Sequence, residues 1–361
     1  MRLRFITSTP MNVFAGSGTF VGISGLAAAL RGLGVEVEVV VPRFRFPIYT
    51  VQRVVFNEML RFRPMAPADV TVGFDMDGYA IAGRGAHVAS IKGVIADEMR
   101  FESGMTRATM RWQARCERLH VQRAGRVITT SQYAAGRIRE LYGFSGEVAI
   151  VPELIDLAAW QGLLAANQVE REPGKFVVLT VCRFYPRKRL EVLLGAAERL
   201  REKIPGLQVR VVGGGPQAAR LRRIWREKNL QGRVVWLEDI PQLELVREYN
   251  RCHAFCLPSV QEGFGLVFLE AMAAGKPMVA SRAGAVPEVM PQGLLAKPDD
   301  EEDLAENLFR LYRDAELRRS LAAAGLEFVK QFDAPRVARV FLDAIAPVAR
   351  YSAAAGKSHV F

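Results

Sequence analysis

Two glutamates with seven residues between them, Glu262 and Glu270, stand out as side chains that could hold a polar ligand. The apolar run Ala254–Leu257 predicts a buried strand ahead of them. A glycine-containing loop follows, then apolar residues at helical spacing that stop at Gly275 and Pro277. Because the first N–H groups of a helix are unpaired and carry the positive end of its dipole, this order favours an anion such as a diphosphate. Each carboxylate could accept hydrogens from ribose or sugar hydroxyls.

Two basic residues after another apolar run indicate the same chemistry. Residues 176–181 predict a strand, and Arg183 and Lys188 follow it, ahead of a helix expected over residues 190–200. Two cations that converge on a helix N-terminus suit a charged leaving group. Ordinary surface positions for both side chains are the alternative.

Composition restricts the class of protein. The chain has 361 residues, 50% hydrophobic and 24% charged, which suits two or three domains with apolar cores. Its 49 Lys and Arg against 38 Asp and Glu give a formal net charge of +11, which favours nucleotides, anionic lipid headgroups or nucleic acid as partners. The four cysteines lack a second ligand pair at zinc-finger spacing, so we expect free thiols in a reducing cytoplasm. Polar residues and glycines interrupt the apolar N-terminus, so neither a signal peptide nor a membrane span is expected.

Strands and helices alternate along the whole chain, which predicts an α/β protein with parallel sheets. Residues 3–41 read as strand, glycine turn, helix and strand, the start of a βαβ unit. Residues 43–63 mix arginines with large apolar residues. They predict either a basic amphipathic element on a membrane surface or an ordinary half-buried helix with a basic edge.

Residues 262–270 read Glu-Gly-Phe-Gly-Leu-Val-Phe-Leu-Glu, which resembles the Glu-x7-Glu signature of glycosyltransferase family 4. These are retaining, nucleotide-sugar-dependent enzymes with the GT-B fold. The match continues through residues 271–277, and Arg183 and Lys188 resemble the family's Arg-x4-Lys pair. The resemblance is strongest over residues 178–288 and weaker toward the N-terminus.

The resemblance implies two doubly wound, Rossmann-like parallel-sheet domains that face each other across a cleft. Residues 1–156 would bind the acceptor and residues 175–335 the nucleotide-sugar donor. Residues 157–174 would be a linker, and residues 336–361 a helix that crosses back to the first domain. Closure of the domains would exclude water from the reaction.

The resemblance also implies roles for single residues. Arg183 and Lys188 would grip the donor diphosphate, Glu262 would orient the sugar, and Glu270 would bind the ribose. Lys92 stands where the family usually has a histidine, and it could stabilise a developing phosphate charge. We expect catalytic roles for Glu262, Lys188, Arg183 and Lys92. Further donor contacts are expected from Gly16, Gly18, Thr19, Gly213, Gly214, Gly263, Phe264, Gly265, Leu266 and Val267, with Leu237, Glu238 and Asp239 near the base.

Acidic residues of the first domain are candidates for the acceptor side: Asp75, Asp77, Asp97 and Glu98. Asp-x-Asp is also the metal-binding signature of the other large glycosyltransferase fold, but here it precedes the Glu-x7-Glu block by a whole domain. We therefore expect an acceptor-side or structural loop, no metal, and no cofactor besides a substrate such as a UDP- or GDP-sugar. Glu153 is a second departure from the family, in the segment that leads into the second domain.

The sequence thus predicts a retaining glycosyltransferase of the hexosyltransferase type, active in glycan biosynthesis without a metal. The leaving diphosphate would assist attack on the same face of the sugar. The acceptor would be a hydroxyl of a glycan, a lipid-linked sugar or a small molecule. We expect a cytoplasmic protein, peripherally associated with an anionic inner membrane face, without nucleic acid as a partner. The alternatives are a sugar-nucleotide epimerase or phosphorylase on the same scaffold, or a non-enzymatic protein that binds anionic membranes or nucleic acid.

Overall fold

The structure, a computed structural model, describes residues 1–9 and 18–357, and for residues 350–357 the backbone only. It divides into two compact units. The first is Met1–Leu154 together with the residues from Ala334 onward, and the second is Ile155–Asp333. Each unit contains one parallel six-stranded sheet, so the predicted fold class of two doubly wound α/β sheets is confirmed.

The strands are short and rich in Val, Ile, Leu and Phe, as expected for parallel strands covered on both faces. In chain order they are β1 (Arg2–Ile6), β2 (Glu36–Val40), β3 (Val70–Phe74), β4 (His87–Ile91), β5 (Arg126–Thr129), β6 (Val148–Ile150), β7 (Phe176–Val181), β8 (Leu207–Val212), β9 (Val234–Leu237), β10 (Ala254–Leu257), β11 (Met278–Ser281) and β12 (Leu294–Ala296).

Helices follow most of the strands and cover the sheets. In chain order they are α1 (Gly18–Gly32), α2 (Tyr49–Met59), α3 (Ile95–Glu98), α4 (Gly104–Arg123), α5 (Gln132–Tyr142), α6 (Leu157–Ala166), α7 (Leu190–Arg199), α8 (Ala218–Glu227), α9 (Gln242–Arg251), α10 (Leu266–Ala273), α11 (Val286–Val289), α12 (Glu301–Arg313), α13 (Ala315–Phe328) and α14 (Ala334–Lys357).

The sheet of the first unit has the order β2-β1-β3-β4-β5-β6. The chain runs from β1 outward to β2 and returns on the other side of β1, so its topological switch point lies between β1 and β3. Helix α14 completes this core. Phe341, on α14, is fully buried and packs edge-to-face on Phe5 with ring centroids 6.0 Å apart.

The sheet of the second unit has the order β12-β11-β10-β7-β8-β9. Numbered within the unit, this is 3-2-1-4-5-6, the strand order of dinucleotide-binding Rossmann folds. Its switch point lies between β7 and β10, which pair with each other. Ligands of such sheets bind at the carboxyl ends of the strands beside the switch point.

The prediction of a linker over residues 157–174 is wrong for its first part, which is helix α6 of the second unit. Asp156 caps this helix, since its carboxylate accepts the N–H of Ala159 at 2.9 Å. Trp160 and Leu164 are buried on one helical face, and α6 packs against α9 and α10. The boundaries between the units fall after Leu154 and before Ala334.

Candidate functional site

The loops after β7 and β10 carry most of the residues predicted to hold the donor. The chain leaves β7 on one side, through β8 and β9, and returns to form β10 on the other side. The loops after β7 and β10 therefore flank the carboxyl edge of the switch point, where a Rossmann-like sheet binds its ligand.

Lys188 and Glu262 are in contact at this edge. The Nζ of Lys188 donates to Oε1 of Glu262 at 2.5 Å, with 13% and 7% of their side chains exposed. The N–H of Val260 donates to the carbonyl of Arg187 at 2.9 Å and ties the two loops together. An ammonium has three N–H donors, and only the one to Glu262 has a partner within the described residues. The pair can therefore stay intact while Lys188 donates to a ligand.

A glycine from the loop after β11 holds the backbone of Glu262. Gly284 has a φ of +58°, and a Cβ there would lie 2.7 Å from both N and O of Glu262. The N–H of Ala285 donates to the carbonyl of Glu262 at 3.0 Å. Only glycine allows both the backbone angle and the close approach, so Gly284 fixes the loop that carries Glu262.

Another glycine sets the start of α10. Gly265 has a φ of +93°, and a Cβ there would lie 2.7 Å from a phenylalanine ring of α10. Phe264 is buried edge-to-face on another phenylalanine, with ring centroids 5.5 Å apart. Gly263 precedes it, and Leu266 and Val267 form the first turn of α10, all three half-buried. The predicted glycine loop therefore leads directly into a helix N-terminus beside the switch point.

Glu270 lies in the middle of α10 and has a protein partner of its own. The hydroxyl of Tyr249, on α9, donates to Oε2 of Glu270 at 2.7 Å. Burial raises the pKa of the Glu270 carboxyl to about 7, although the Tyr249 hydrogen bond acts in the opposite direction. The indole N–H of Trp160, on α6, donates to the backbone carbonyl of Glu270 at 3.2 Å.

Arg183 is exposed, and its side chain has no hydrogen bond or ion pair within residues 1–9 and 18–357. The glycine loop after β8 packs against its segment. Gly213 has a φ of +125°, and a Cβ there would lie 2.0 Å from the carbonyl O of Cys182. The N–H of Phe184 donates to the carbonyl of Gly214 at 2.9 Å. The structure thus brings Gly213 and Gly214 next to the segment that holds Arg183.

The residues predicted near the base lie at the end of β9, beside this loop. The N–H of Gly213 donates to the carbonyl of Leu237 at 2.9 Å, and Leu237 is half-buried. Glu238 forms a surface ion pair with Arg222 at 2.6 Å. Asp239 has a left-handed backbone with a φ of +51°. Leu237 is therefore joined to the glycine loop, whereas Glu238 already has a cationic partner.

In the first unit, Lys92 follows β4 and is paired with Glu153. Its Nζ lies 3.1 Å from Oε2 of Glu153, and both side chains are about as buried as the Glu262 carboxylate. The backbone N–H of Lys92 donates to Oδ1 of Asp75 at 2.8 Å. A Cβ at Gly22, in α1, would lie 2.4 Å from Oε2 of Glu153, so a glycine makes room for this carboxylate. The two departures from the family pattern, Lys92 and Glu153, compensate each other's charge.

Asp77 is fully buried in a hydrogen-bond network at the switch point of the first sheet. Its carboxylate accepts the N–H and the hydroxyl of Ser8, both at 2.7 Å, and the amide of Asn57 at 2.9 Å. Arg53 lies 3.3 Å from it. Asp77 therefore joins the ends of β1 and β3 to α2 as a structural residue. Burial raises the pKa of neighbouring Asp75 to about 6, although Arg53 lowers it.

Asp97 is also fully buried and paired within the first unit. It accepts the hydroxyl of Tyr133 at 2.6 Å and forms an ion pair with Arg137 at 2.9 Å. Glu98 is half-buried, and its Oε1 lies 2.9 Å from where a Cβ of Gly93 would be. These contacts join α3 to α5 within the first unit.

Of the predicted turn after β1, Gly18 and Thr19 begin α1, whereas Gly16 lies outside the described residues. The N-terminus of α1 follows β1, one of the two strands at the switch point of the first sheet. This location agrees with a helix end that approaches a phosphate.

Within the described ranges, no group of three or more His, Cys, Asp or Glu side chains could hold a metal ion. The four cysteines are free, three buried and Cys182 half-buried. His253, between two of them, accepts the N–H of Val177 at 3.0 Å on Nδ1 and so helps to join β7 to β10. Between residues 18 and 357 no helix is both long and apolar enough to cross a bilayer.

Several residues of these arrangements could not be identified in the sequence. Tyr249 lies on α9, which the sequence reasoning did not predict, and Trp160 lies in the stretch read as a linker. Gly22 lies within the helix expected after the first glycine turn, and no local pattern marks it as making room for a carboxylate. The available signal was the apolar spacing of Trp160 with Leu164 and of Val246 with Tyr249, three to four residues apart.

Residues 165–328 match the sequence model of the family described as "Glycosyl transferases group 1". The match begins within α6 and ends with α13, so it covers most of the second unit and includes all of its predicted donor residues.

Two curated relatives illustrate the range of similar proteins. The D-inositol 3-phosphate glycosyltransferase of Nocardia farcinica is 30% identical over 257 residues, which cover 67% of this chain and 56% of that protein. A GDP-mannose-dependent alpha-(1-6)-phosphatidylinositol monomannoside mannosyltransferase of Mycolicibacterium smegmatis is 30% identical over 178 residues, covering 46% of this chain and 47% of that one. The chain thus spans about half the length of these relatives.

Among solved structures, the sucrose-phosphate synthase of Thermosynechococcus elongatus superposes with a TM-score of 0.79. It is 21% identical, and the match covers 98% of this chain and 99% of that one. The relatives and structural neighbours are glycosyltransferases, and the neighbours have the GT-B fold. Residues 165–328 therefore match the glycosyltransferase group 1 family, in a chain whose two α/β units share the fold of these neighbours.

Proposed function

We propose that this protein is a retaining glycosyltransferase of the hexosyltransferase type, in family 4, that moves a sugar from a nucleoside-diphosphate sugar to a hydroxyl acceptor. The observation that carries the proposal is the Lys188–Glu262 pair at the switch point of the second sheet, next to the segment of Arg183. Glu262 neutralises Lys188, and Arg183 on the same loop has no ion pair among the described residues, so its positive charge is left for a diphosphate.

Each group has a task in the donor complex. Arg183 and two N–H donors of Lys188 would bind the diphosphate, together with the start of α10 after Gly265. Glu262 would accept hydroxyl hydrogens of the sugar, and Glu270 those of the ribose. Leu237 would lie against the base.

The transfer step follows from these positions. The bond between the anomeric carbon and the diphosphate oxygen breaks, and the acceptor oxygen forms a bond to that carbon on the same face. The acceptor proton passes to the leaving diphosphate, so no protein nucleophile is required. Lys188 and Arg183 stabilise the charge that develops on the diphosphate, which is the task that a metal ion performs in other enzymes. We propose transfer without a metal on this basis.

For the acceptor we propose a hydroxyl of a glycan, a glycolipid or a small molecule, bound by the first unit. One relative is named for a phosphatidylinositol monomannoside substrate. Lys92 and Glu153 form a closed, neutral pair, so we assign Lys92 a supporting role at the carboxyl end of β4.

A surface of the first unit favours an additional partner, an anionic membrane at its cytoplasmic face. Helices α2 and α4 pack together, and the amide of Gln113 donates to the hydroxyl of Thr50 at 2.8 Å. Glu117 is the one acidic residue of α4, and it is fully buried. Large apolar side chains are exposed at Phe46, Ile48, Tyr49, Met59, Phe62, Met105, Trp112 and Leu119. Arginines accompany them at positions 43, 45, 61, 63, 107, 111, 115, 118 and 123.

Sedimentation with phosphatidylglycerol vesicles tests this partner, with phosphatidylcholine vesicles as the neutral reference. We expect binding to the anionic vesicles only, because arginines attract anionic headgroups and aromatic side chains insert at the interface. Trp112→Ser together with Phe62→Ser should abolish it, whereas Leu243→Ser, at an exposed apolar residue of the second unit, should not. Equal sedimentation of all variants would contradict the assignment of this surface.

Calorimetric titration with UDP, GDP and ADP, with and without EDTA, tests the enzyme proposal. We expect one diphosphate to bind in the presence of EDTA, and Arg183→Ala to weaken it by about tenfold or more, since one charge-assisted contact is lost. Arg199→Ala removes an exposed arginine at the far end of α7 and serves as the control. Binding that requires a divalent ion would contradict the proposed transfer without a metal.

Product analysis separates the alternatives. Incubation of the bound nucleotide sugar with a panel of hydroxyl acceptors should yield a glycoside with unchanged anomeric configuration. An epimerised nucleotide sugar, or a sugar phosphate formed with inorganic phosphate, would instead indicate an epimerase or a phosphorylase. A protein that binds nucleic acid with steep salt dependence and no diphosphate would be the non-enzymatic alternative.

A further inference from the structure

Two helices outside the glycine-loop motif hold Glu270 in place. Tyr249, on α9, donates its hydroxyl to the Oε2 atom at 2.7 Å, and Trp160, on α6, donates its indole N–H to the backbone carbonyl at 3.2 Å. Tyr249 is fully buried, and its ring stacks on Phe255 with centroids 6.1 Å apart. The Trp160 ring packs edge-to-face against the Tyr249 ring, with centroids 5.6 Å apart. The donor hydroxyl of Tyr249 is therefore fixed by its surroundings before any ligand arrives.

The carboxylate of Glu270 is only partly used by the protein. Its Oε2 accepts the Tyr249 hydroxyl, and within the described part of the chain Oε1 has no hydrogen-bond partner. Glu270 as a whole residue is half-buried. A carboxylate held by one oxygen presents the other in a defined orientation, which lowers the entropy lost when a ligand binds.

We infer that Tyr249 is a positioning residue for the donor nucleotide: its hydroxyl fixes the Glu270 carboxylate through Oε2, so that Oε1 accepts the ribose hydroxyls. The inference rests on the proposed function, because the ribose is that of a nucleoside-diphosphate donor. It extends that function to a residue outside the Glu-x7-Glu motif, on a helix that precedes β10.

The charge state of Glu270 supports this role. Burial raises its pKa to about 7, and the hydrogen bond from Tyr249 acts in the opposite direction and lowers it. Burial and the nearby Glu270 raise the pKa of Tyr249 well above its ordinary value, so Tyr249 stays a donor. Near neutral pH the Tyr249 hydroxyl thus favours the carboxylate form, which is the better acceptor for two ribose hydroxyls.

Tyr249→Phe tests the inference because it removes the hydroxyl and keeps the stacked ring. UDP, GDP and ADP are titrated into wild type and variant by calorimetry, beside their 2′,3′-dideoxy counterparts. For the ribonucleotide that binds, we expect about tenfold weaker affinity in the variant, since one hydrogen bond to a charged group is lost. The dideoxy counterpart lacks the hydroxyls that Glu270 would bind, so its affinity should be the same for both proteins.

Tyr142→Phe is the matched control. Tyr142 is a buried tyrosine of the first unit that donates its hydroxyl to a glutamate, Glu117. Its substitution removes the same kind of hydrogen bond and should leave nucleotide affinity unchanged. In a Glu270→Ala background, Tyr249→Phe should have no further effect, because Tyr249 acts through Glu270.

A pH series gives a readout that general loosening of the fold would not change. The affinity of the wild type for the ribonucleotide should rise as pH increases through about 7, where Glu270 ionises. In Tyr249→Phe the rise should move to higher pH, since the variant loses the hydrogen bond that lowers this pKa. Taking the ratio of the two affinities at each pH cancels the ionisation of the ligand phosphate.

The outcomes are distinct. Equal weakening of ribo- and dideoxynucleotide, a loss that persists without Glu270, or unchanged ribonucleotide affinity in Tyr249→Phe each overturn the role of Tyr249 and leave the proposed function standing. Failure of the wild type to bind all three diphosphates overturns the proposed function and this inference together.

Discussion

Each unit has a lysine and a glutamate that meet at the carboxyl end of its sheet. Lys188 and Glu262 do so in the second unit at 2.5 Å, and Lys92 and Glu153 do so in the first unit at 3.1 Å. All four side chains are largely buried, and each pair joins residues that are more than 60 positions apart. The residue types and the locations within the two sheets are therefore the same.

The surroundings of the two pairs differ. Arg183, with no partner of its own in the described chain, lies on the same loop as Lys188, and the start of α10 follows Glu262. Beside Lys92 the backbone N–H groups already bind Asp75, and Gly22 leaves just enough room for the Glu153 carboxylate. A buried ion pair stabilises little by itself, so the surplus charge around it decides whether it can serve a ligand. On this criterion we propose that the pair of the second unit serves the donor, whereas the pair of the first unit is compensated within the protein.

The largest expected effect is on transfer. Lys188→Met should lower the rate of sugar transfer by about 10³-fold, because the developing charge on the leaving diphosphate loses its buried cation. Lys92→Met should leave affinity for the diphosphate unchanged. Steady-state transfer with the nucleotide sugar identified above measures the first effect and calorimetry the second. A wild-type transfer rate in Lys188→Met would remove the distinction between the two pairs.

The next effect is on the free energy of unfolding, and it again distinguishes the Lys92–Glu153 pair from the Lys188–Glu262 pair. Lys92→Met alone leaves a buried unpaired carboxylate and should cost about 3 kcal/mol in the free energy of unfolding. Lys92→Met with Glu153→Leu should recover most of it, as measured by denaturant unfolding. The same cycle with Lys188→Met and Glu262→Leu should also recover stability, but not transfer. Strictly additive costs would show that the residues do not act as pairs.

A smaller effect concerns the room that the first unit gives to Glu153. Gly22→Ala places a Cβ 2.4 Å from the Glu153 carboxylate and should destabilise the protein by about 1–2 kcal/mol. Gly136→Ala, in α5, meets nothing within 4 Å and should instead stabilise it by about 0.5–1 kcal/mol. Thermal unfolding compares the two. If Gly22→Ala stabilised the protein as much as Gly136→Ala, the inference that Glu153 packs closely against α1 would be contradicted.

The last comparison concerns the pH dependence that Glu270 gives to stability. In the unfolded chain the Glu270 carboxyl would lose its proton near its ordinary pKa of 4.5. In the folded protein the carboxyl keeps the proton up to about pH 7. Between these values the folded state holds the extra proton, so its contribution to stability falls as pH rises. Glu270→Gln should flatten this part of the unfolding profile of the second unit. An unchanged profile would indicate that Glu270 ionises as it does in the unfolded chain.

The sequence predicted the regular elements of both sheets well. The bounds of β7 and β10, for example, equal those expected from their apolar runs, because a strand covered on both faces has a continuous apolar signal. Helix α6 was missed because alanines and a glycine obscure its apolar face. The sequence does not show that Trp160 and Leu164 pack against α9 and α10.

By itself, the sequence determined the alternation of strands and helices, the order of the glycine loops, and the resemblance that names Arg183, Lys188, Glu262 and Glu270. These features depend on local spacing, which the chain carries directly. Only the tertiary structure decided that Lys92 is compensated by Glu153, that Asp77 is a structural residue and that Tyr249 holds Glu270. Each of these contacts joins residues 20 or more positions apart, and their pairing depends on which loops and helices the sheets bring together.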